Sequence, residues 1–308
     1  MDSNLLTLNH DELIRAIAFD GTVRIVAISG ARLVSEAKRV HNLSRVATAA
    51  LGRTLLMTAI MASDLKSETD RVSAVVSGGG PGGNLVCTGS PNLDVKGTIL
   101  HPEVELPPNE KGKLDVSGLV GHRGRLTVVR DLSLKEPYVG SVDLVSGEIA
   151  EDFAQYYAQS QQQPSIVYLG VRVHPSTGRV RAAGGILVQP LPACAEETIS
   201  ALEGLGARIA TLAQSLDDGS SLSDALASIF DGCGLSVLSS AEPHYRCDCS
   251  RERIARALLA VGAEELTKMM EEDHGAEVQC HFCNSVYRFS EEELSALLAG
   301  AVGQRDGE

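Results

Sequence analysis

The chain has 308 residues, 44% of them hydrophobic and 22% charged, a composition that allows one large buried core and a smaller module. Its net charge of −13 argues against a nucleic-acid partner, because phosphate binding requires a basic surface. No apolar run reaches the roughly 18 residues of a membrane span, and residues 1–6 lack the features of a signal peptide, so we expect a cytoplasmic protein without a membrane partner.

The first part of the chain alternates between strand and helix patterns. Residues 23–29 alternate in polarity and end at Gly30, which predicts a strand. Residues 31–65 carry Ala and Leu at helical spacing without proline and predict a long helical stretch, with Asn42 or Ser44 as a cap for its second half. Further strands are predicted at residues 72–76, 85–88, 95–100 and 124–130.

A glycine-rich loop at residues 77–83 separates two of these strands. The loop lacks the Gly-Lys-Ser/Thr ending of a phosphate-binding loop, and it leads into a strand rather than a helix. We therefore interpret it as a hairpin loop and predict no nucleotide site there.

The next elements complete a first domain. Residues 148–162 predict a helix on which Tyr156 and Tyr157 are interpreted as core packing, and residues 165–174 and 180–189 predict a strand pair. Strands and helices in this arrangement predict an α+β core domain, built from β-sheet and helices, over residues 1–192.

Residues 193–240 predict a helical linker. An amphipathic helix is expected at residues 195–216, a short helix at 224–230 and a strand at 235–238. Because Phe230 is the only aromatic residue of this helical stretch, the linker should depend on docking to its neighbours, which makes it a metastable, regulatory candidate for local unfolding. A plain structural helical hairpin is the alternative interpretation.

Four cysteines near the C-terminus form the clearest chemical pattern. Cys247 and Cys249 make a Cys-x-Cys pair, and Cys280 and Cys283 make a Cys-x-x-Cys pair. Two close pairs of thiolates are the ligand set of a tetrahedral Zn²⁺ site, which predicts a small C-terminal zinc-binding module at residues 241–308. Four thiolates close the coordination shell, so this zinc is not expected to catalyse hydrolysis.

The neighbouring residues leave several questions open. Four cysteines can pair in three ways, and pairing within each half is favoured by closeness in sequence although a Cys-x-Cys ring is strained. His244 and His281 are possible substitute ligands, but four cysteines already fill the shell. The arginines near the Cys-x-Cys pair either favour thiolates or simply form an exposed basic helix start; they are Arg246, Arg251, Arg253 and Arg256.

The other three cysteines stand alone in the sequence. Cys87, Cys194 and Cys233 are each predicted to be small buried apolar residues. Cys233 could join oxidative chemistry if its segment opens.

Three stretches resemble the heat-shock protein 33 family. They are the module around Tyr-Arg-Cys-Asp-Cys at residues 245–249 and Cys-His-Phe-Cys at 280–283, the run at 144–160 followed by Gln-Pro-Ser at 163–165, and Ala-Ala-Gly-Gly-Ile-Leu-Val-Gln at 182–189. The resemblance covers nearly the whole chain. Gln161 departs from the Glu that the family usually carries there, which affects at most a local interaction at a helix end.

This resemblance implies a redox-regulated molecular chaperone that holds unfolding proteins without using ATP and is not an enzyme. The reduced form would bind one Zn²⁺ per chain and be inactive. Oxidation would form the disulfides Cys247–Cys249 and Cys280–Cys283, the latter as the first sensor, release zinc and favour a homodimer. Unfolded client proteins are the implied partners.

Two other classes of function remain as alternatives. One is a zinc-ribbon nucleic-acid-binding module, against which the net charge of −13 speaks. The other is a thiol-disulfide oxidoreductase that uses Cys280 and Cys283, against which the absence of a thioredoxin-like βαβ pattern speaks.

Overall fold

A computed structural model describes residues 10–192 and 194–305 of the protein. Residues 1–6, on which the signal-peptide prediction rests, and Ala193, at which the predicted linker begins, lie outside the described residues. The chain divides into two compact units, Met1–Arg246 and Cys247–Glu308. The helices of the described residues are too short or too polar to cross a lipid bilayer.

The strands of the first unit form two sheets. In chain order they are β1 (Glu12–Ala18), β2 (Val23–Ser29), β3 (Arg71–Ser77), β4 (Leu85–Gly89), β5 (Asp94–Ile99), β6 (Arg125–Asp131), β7 (Tyr138–Asp143), β8 (Ile166–Val173), β9 (Val180–Pro190), β10 (Ser236–Ala241) and β11 (His244–Tyr245). One sheet has the order β10-β1-β2-β9-β8, and the other has the order β11-β5-β4-β3-β6-β7. The pairs are antiparallel except for the parallel pair β11–β5.

Helices cover these sheets and connect them. They are α1 (Ala31–His41), α2 (Arg45–Ala62), α3 (Val116–Val120), α4 (Ala150–Gln159), α5 (Glu196–Gly204), α6 (Gly206–Ile209), α7 (Leu212–Asp217) and α8 (Leu222–Ile229). Helix α2 is buried along most of its length and contacts strands of both sheets, so it forms the centre of the main core. Tyr156 and Tyr157 are buried in the same core, as predicted. The α+β class is confirmed.

The helical stretch predicted over residues 31–65 consists of two helices, α1 and α2. The helix breaks at Asn42, which adopts a left-handed conformation with φ of 50°, a geometry that Asn tolerates better than most residues. The Ser44 side chain then accepts a hydrogen bond from the Ala47 N–H at 3.1 Å and caps α2, one of the two predicted caps.

The glycine-rich loop does connect two antiparallel strands, β3 and β4. The Gly80 N–H donates to the Val120 carbonyl at 2.9 Å, and the Gly82 N–H donates to the Leu119 carbonyl at 2.9 Å. A Cβ atom on Gly78 would collide with the carbonyl oxygens of Val120 and Gly121. The loop therefore uses backbone donors to hold α3 instead of a phosphate group.

The prediction of a single helix at residues 195–216 is wrong, because the structure has three short helices there, α5 to α7. Gly204 and Gly206 flank the first break, and glycine weakens a helix interior by about 1 kcal/mol. Helices α5 to α8 cover the β10-β1-β2-β9-β8 sheet with a cluster of buried apolar side chains, among them Leu202, Leu205, Ile209, Leu212, Leu226 and Phe230.

The second unit is small. It contains α9 (Arg251–Val261), α10 (Ala263–Asp273), β12 (Gly275–Gln279), β13 (Val286–Ser290) and α11 (Glu291–Arg305), with β12 and β13 paired antiparallel. The buried centre described for it consists of Leu258, Leu266, Phe289 and Leu294, with partly buried apolar side chains around them. A core of this size stabilises a fold only weakly, so a further source of stability is expected.

Candidate metal centre

The four C-terminal cysteines lie together in the second unit. One sulfur atom from each of Cys247, Cys249, Cys280 and Cys283 lies within 4.8 Å of every other. Zn–S bonds of about 2.3 Å in a tetrahedron place the sulfurs about 3.8 Å apart. The observed cluster therefore has the size of a four-thiolate metal site.

Two different backbone arrangements present the thiols. Cys247 and Cys249 come directly before α9, whose first turn is capped by the Ser250 side chain through a hydrogen bond from the Arg253 N–H. Cys280 and Cys283 lie in the turn between β12 and β13. The cluster thus joins a helix start to a hairpin that is far away in sequence.

Backbone hydrogen bonds shape the hairpin turn. The Cys280 N–H donates to the Ser285 carbonyl at 2.9 Å, and the Asn284 N–H donates back to the Cys280 carbonyl at 2.8 Å. Asn284 has a φ of 59°, which reverses the chain after Cys283. This turn holds both thiols on one side of the hairpin.

The nearest sulfur pairs connect the two halves of the site. Cys247 Sγ lies 3.7 Å from Cys280 Sγ, and Cys249 Sγ lies 3.3 Å from Cys283 Sγ. All seven cysteines of the chain are free thiols. The disulfide pairing within each half stays a prediction.

Neighbouring hydroxyl groups tune two of the thiols. Cys283 Sγ lies 3.2 Å from Ser285 Oγ, and Cys249 Sγ lies 3.1 Å from Tyr287 Oη. Burial raises the pKa of Cys283, but hydrogen bonds with Ser285 and with the neighbouring thiols outweigh burial and lower that pKa to about 7. Burial raises the pKa of Cys249. The Cys249 hydrogen bond raises the pKa of Tyr287 to about 12, which keeps its hydroxyl a proton donor.

Three of the four arginines around the Cys-x-Cys pair contact carboxylates. Arg253 pairs with Asp248, and Arg251 lies 2.6 Å from Glu293 Oε1 with its guanidinium 4.3 Å above the Phe289 ring. In the first unit, Arg246 lies 3.7 Å from Asp94 Oδ2. These contacts favour the interpretation as ordered surface charges over direct activation of the thiols.

Other candidate residues lie apart from the cluster. Neither His244 nor His281 belongs to the metal-sized group of side chains among the described residues. Cys87 is buried in the first unit, where burial raises the pKa of its thiol. Cys194 and Cys233 are half-buried beside the helices that cover the first sheet. Ser285 and Tyr287 contact the thiols, and sequence reasoning gave no role to either.

A closed group of four thiols on a small unit, joined to an α+β unit, is the architecture of a protein with a structural metal centre. Comparison with known proteins identifies the family. A family model described as Hsp33 protein matches residues 11–290. The chain belongs to the Hsp33 family.

Close relatives support this assignment along the whole chain. A protein named 33 kDa chaperonin from Clostridium botulinum (strain 657 / Type Ba4) is 41% identical over 295 residues, covering 96% of this chain and 99% of the relative. A 33 kDa chaperonin from Clostridioides difficile (strain 630) is 43% identical over 288 residues, covering 94% of this chain and 98% of the relative.

A solved structure shows the same fold. The crystal structure of the 33 kDa chaperonin (heat shock protein 33 homolog) from Thermotoga maritima matches with a TM-score of 0.85 and 40% identity, covering 96% of this chain and 100% of that one. The family and the names of its members support a chaperone.

Proposed function

We propose that the protein is a redox-regulated chaperone that holds unfolding proteins and prevents their aggregation without ATP. The observation that carries this proposal is the four-thiol cluster in a unit with a very small apolar core. A unit of this kind folds with its metal and loses its fold when the thiolates are consumed.

Zinc is the proposed metal, one ion per chain, held by Cys247, Cys249, Cys280 and Cys283. Four thiolates in a tetrahedral cluster suit Zn²⁺ and leave no position for a substrate or water. The ion would contribute folding free energy, on the order of 10–16 kcal/mol in small zinc peptides. We therefore propose no enzymatic activity for this centre.

Oxidation is the proposed signal. Two thiolates and two protons react with one peroxide molecule to give one disulfide and two water molecules, so two peroxide molecules consume all four thiolates. The proposed pairs are Cys280–Cys283, formed first, and Cys247–Cys249. Cys283 fits the role of initial nucleophile, because its sulfur is partly exposed and so accessible to peroxide. Disulfide formation removes the ligand set and ends zinc binding.

The linker at residues 193–240 is the proposed regulatory segment. Its helices α5 to α8 bury apolar side chains against the first sheet, but α6 and α7 are only four and six residues long. Helices this short have little stability of their own. We propose that unfolding of the metal unit frees residues 236–246 and then these helices, which exposes apolar surface to unfolding proteins.

The proposed cellular setting follows from this chemistry. Free thiols at a metal centre persist in the reducing cytoplasm, where the protein would meet unfolding clients during oxidative stress. The oxidised form is proposed to be a homodimer. Neither a nucleic acid nor a membrane is a proposed partner.

Light scattering by a heat-unfolding client protein tests the proposal, with reduced or peroxide-treated protein added and free zinc read by a chromophoric chelator. We expect only the oxidised form to suppress aggregation, with zinc appearing as the activity appears. Zinc release without protection of the client would contradict the chaperone proposal and favour a metal module of another function.

A double substitution tests the sensor. In Cys280→Ser with Cys283→Ser, aggregation suppression should no longer change on addition of peroxide. The matched control is Cys194→Ser with Cys233→Ser, which removes two half-buried thiols elsewhere and should keep the response. A normal peroxide response in the first variant would contradict the assignment.

A further inference from the structure

One short segment closes an edge of both sheets in the first unit. The strap, residues 236–246, contains β10 and β11 and runs directly into Cys247. Strand β10 pairs antiparallel with β1, and β11 pairs parallel with β5. Each is the end strand of its sheet, so the strap covers the edges of β1 and β5.

The β10 part of the strap is held mainly through its backbone. Its six side chains are all exposed, including Val237 at 51% and Leu238 at 62%. The pairing runs from Leu13 opposite Ala241 to Ile17 opposite Ser236, with an irregularity that leaves Leu238 unpaired. Because side-chain burial adds little, most of the pairing energy comes from main-chain hydrogen bonds, which any extended segment can offer.

The β11 part has one specific anchor. The His244 N–H donates to the Leu93 carbonyl at 2.9 Å, and the Arg246 N–H donates to the Val95 carbonyl at 3.1 Å. The Tyr245 hydroxyl donates to the Gly97 carbonyl at 2.9 Å and lies 2.9 Å from His41 Nε2. This anchor lies two residues before Cys247.

The strands that pair with the strap carry buried apolar side chains. Leu13 and Ile14 of β1 and Val95 of β5 are 3% exposed or less. Removal of the strap would leave two strand edges with unpaired N–H and C=O groups beside apolar side chains. Such edges are templates for pairing with another extended chain.

We infer that the edges of β1 and β5 are client-binding sites, on which an extended segment of an unfolded protein replaces the strap by strand addition. The inference rests on the proposed function, in which oxidation frees the strap. The expected occupant is a stretch of about five or six residues with alternating apolar side chains, the length of β10. Backbone recognition accounts for binding to unrelated sequences, since every unfolded chain offers the same main-chain groups.

A competing peptide tests this inference on the oxidised, full-length protein. The probe is a synthetic peptide with the sequence of residues 236–246, and its control is the same peptide with alternate amides N-methylated in the β10 part. We expect the first peptide to displace a client and restore its aggregation, at a concentration at least about tenfold lower than the control requires. The side chains are the same and the added methyl groups make the control slightly more apolar, so weaker competition by the control reports lost backbone pairing.

Hydrogen exchange locates the binding. Amides of residues 12–18 and 94–99 should exchange faster after oxidation and slow again when a client is added. On oxidation alone, β7 should keep its exchange rate, because it is an end strand that the strap does not cover.

The possible results separate the two proposals. If the oxidised protein suppresses aggregation but neither peptide competes and the two edges stay unprotected with client, the inference is wrong and the proposed function stands. If the edges become protected without client in proportion to protein concentration, they pair between copies and the inference is wrong. If the oxidised protein gives no protection at all, both fail.

Discussion

Tyr287 shows how a single side chain outside the ligand set can stabilise the metal centre. Its hydroxyl lies 3.1 Å from Cys249 Sγ, and its own pKa is raised to about 12 by that contact, so it donates a hydrogen bond to the sulfur. Donors to metal-bound groups orient the ligands and stabilise their charge. The thiolate form of Cys249 therefore depends on this hydroxyl.

Tyr287→Phe should weaken zinc binding by about tenfold, because the Cys249 thiolate loses its donor while the ring and its packing remain. Competition with a chromophoric chelator under reducing conditions measures the change. Tyr138→Phe is the matched control, since it removes a hydroxyl that contacts Ser160 in the first unit. Equal zinc affinity in Tyr287→Phe and the unmodified protein would show that the Tyr287 hydroxyl does not contribute to zinc binding.

Asp11 is a buried carboxyl group at the start of α1, and its ionisation destabilises the folded state. Its carboxylate accepts hydrogen bonds from the backbone N–H groups of Arg32 at 3.0 Å and Leu33 at 2.7 Å. Burial raises its pKa from 3.8 to about 6, although these hydrogen bonds lower it. The folded state thus binds a proton more tightly than the unfolded state does.

The contribution of Asp11 to the free energy of unfolding should therefore fall as the pH rises from about 4 to about 6, and Asp11→Asn should remove this part of the pH dependence. We expect the difference in unfolding free energy between the variant and the unmodified protein to move in favour of the variant by roughly 2–3 kcal/mol over this range. Urea unfolding at several pH values, followed by circular dichroism, measures it. A difference that stays constant with pH would contradict the assignment.

The residues of the thiol cluster differ in how far the sequence reveals them. The grouping of the four cysteines was predictable, because two short Cys pairs are the usual pattern of a metal site. Ser285 and Tyr287 were not, because a Ser or Tyr near a cysteine is common, and only the turn between β12 and β13 brings their hydroxyls to the sulfurs.

At the scale of elements, α7 is fastened to the first sheet by a shared carboxylate. The Asp217 side chain is 2% exposed, and its Oδ2 lies 2.7 Å from Arg172 Nε and 2.8 Å from Arg181 Nη2. Arg172 lies on β8 and Arg181 on β9. A buried acid shared by two half-exposed arginines attaches a weak helix to two strands.

Asp217→Asn should loosen α7, because both arginines lose their ionic partner. We expect a local destabilisation of roughly 1–3 kcal/mol, below the value for a fully buried pair because the arginines are 41% and 45% exposed. Amides of α7 should exchange at least about tenfold faster in the reduced protein. Asp218→Asn is the control, with an exposed carboxylate that accepts from Gln214, and unchanged exchange in Asp217→Asn would contradict the role.

Some helices and strands could be predicted from the sequence, whereas helix breaks and long-range strand pairing could not. Strand β2 has the predicted bounds, because alternating residues followed by Gly30 leave few other structures. Periodicity alone does not show the break at Asn42, because one residue in a left-handed conformation leaves the helical spacing unchanged; only the capping residue Ser44 marks the start of α2. A strand was predicted near β10, but its pairing with β1 was not. The two strands are more than 200 residues apart, and the side chains of β10 are all exposed, so they give no pattern that indicates a partner.

At the scale of the whole molecule, the two compact units have different sources of stability. The first unit has an extensive apolar core around α2, whereas the described core of the second unit has four buried side chains. Removing the metal should therefore affect the units unequally.

Chelation of zinc under reducing conditions should unfold the second unit without any disulfide. We expect amides of β12 and β13 to lose protection while those of α2 and β3 keep it, because the proposed zinc would supply roughly 10–16 kcal/mol to a site of this kind. Hydrogen exchange by mass spectrometry measures both in one experiment. The Cys280→Ser, Cys283→Ser variant should not respond to the chelator, and equal loss of protection in α2 would contradict the division.

The position of the strap in the chain also affects folding during synthesis of the protein. A ribosome completes β1 and β5 long before it reaches residues 236–246, and translation at roughly 5–20 residues per second leaves both edges unpaired for on the order of ten seconds. Each nascent chain thus passes through a stage in which its own sheets are open to unwanted pairing. The nascent chain is therefore most exposed to aggregation in the interval before residues 236–246 leave the ribosome.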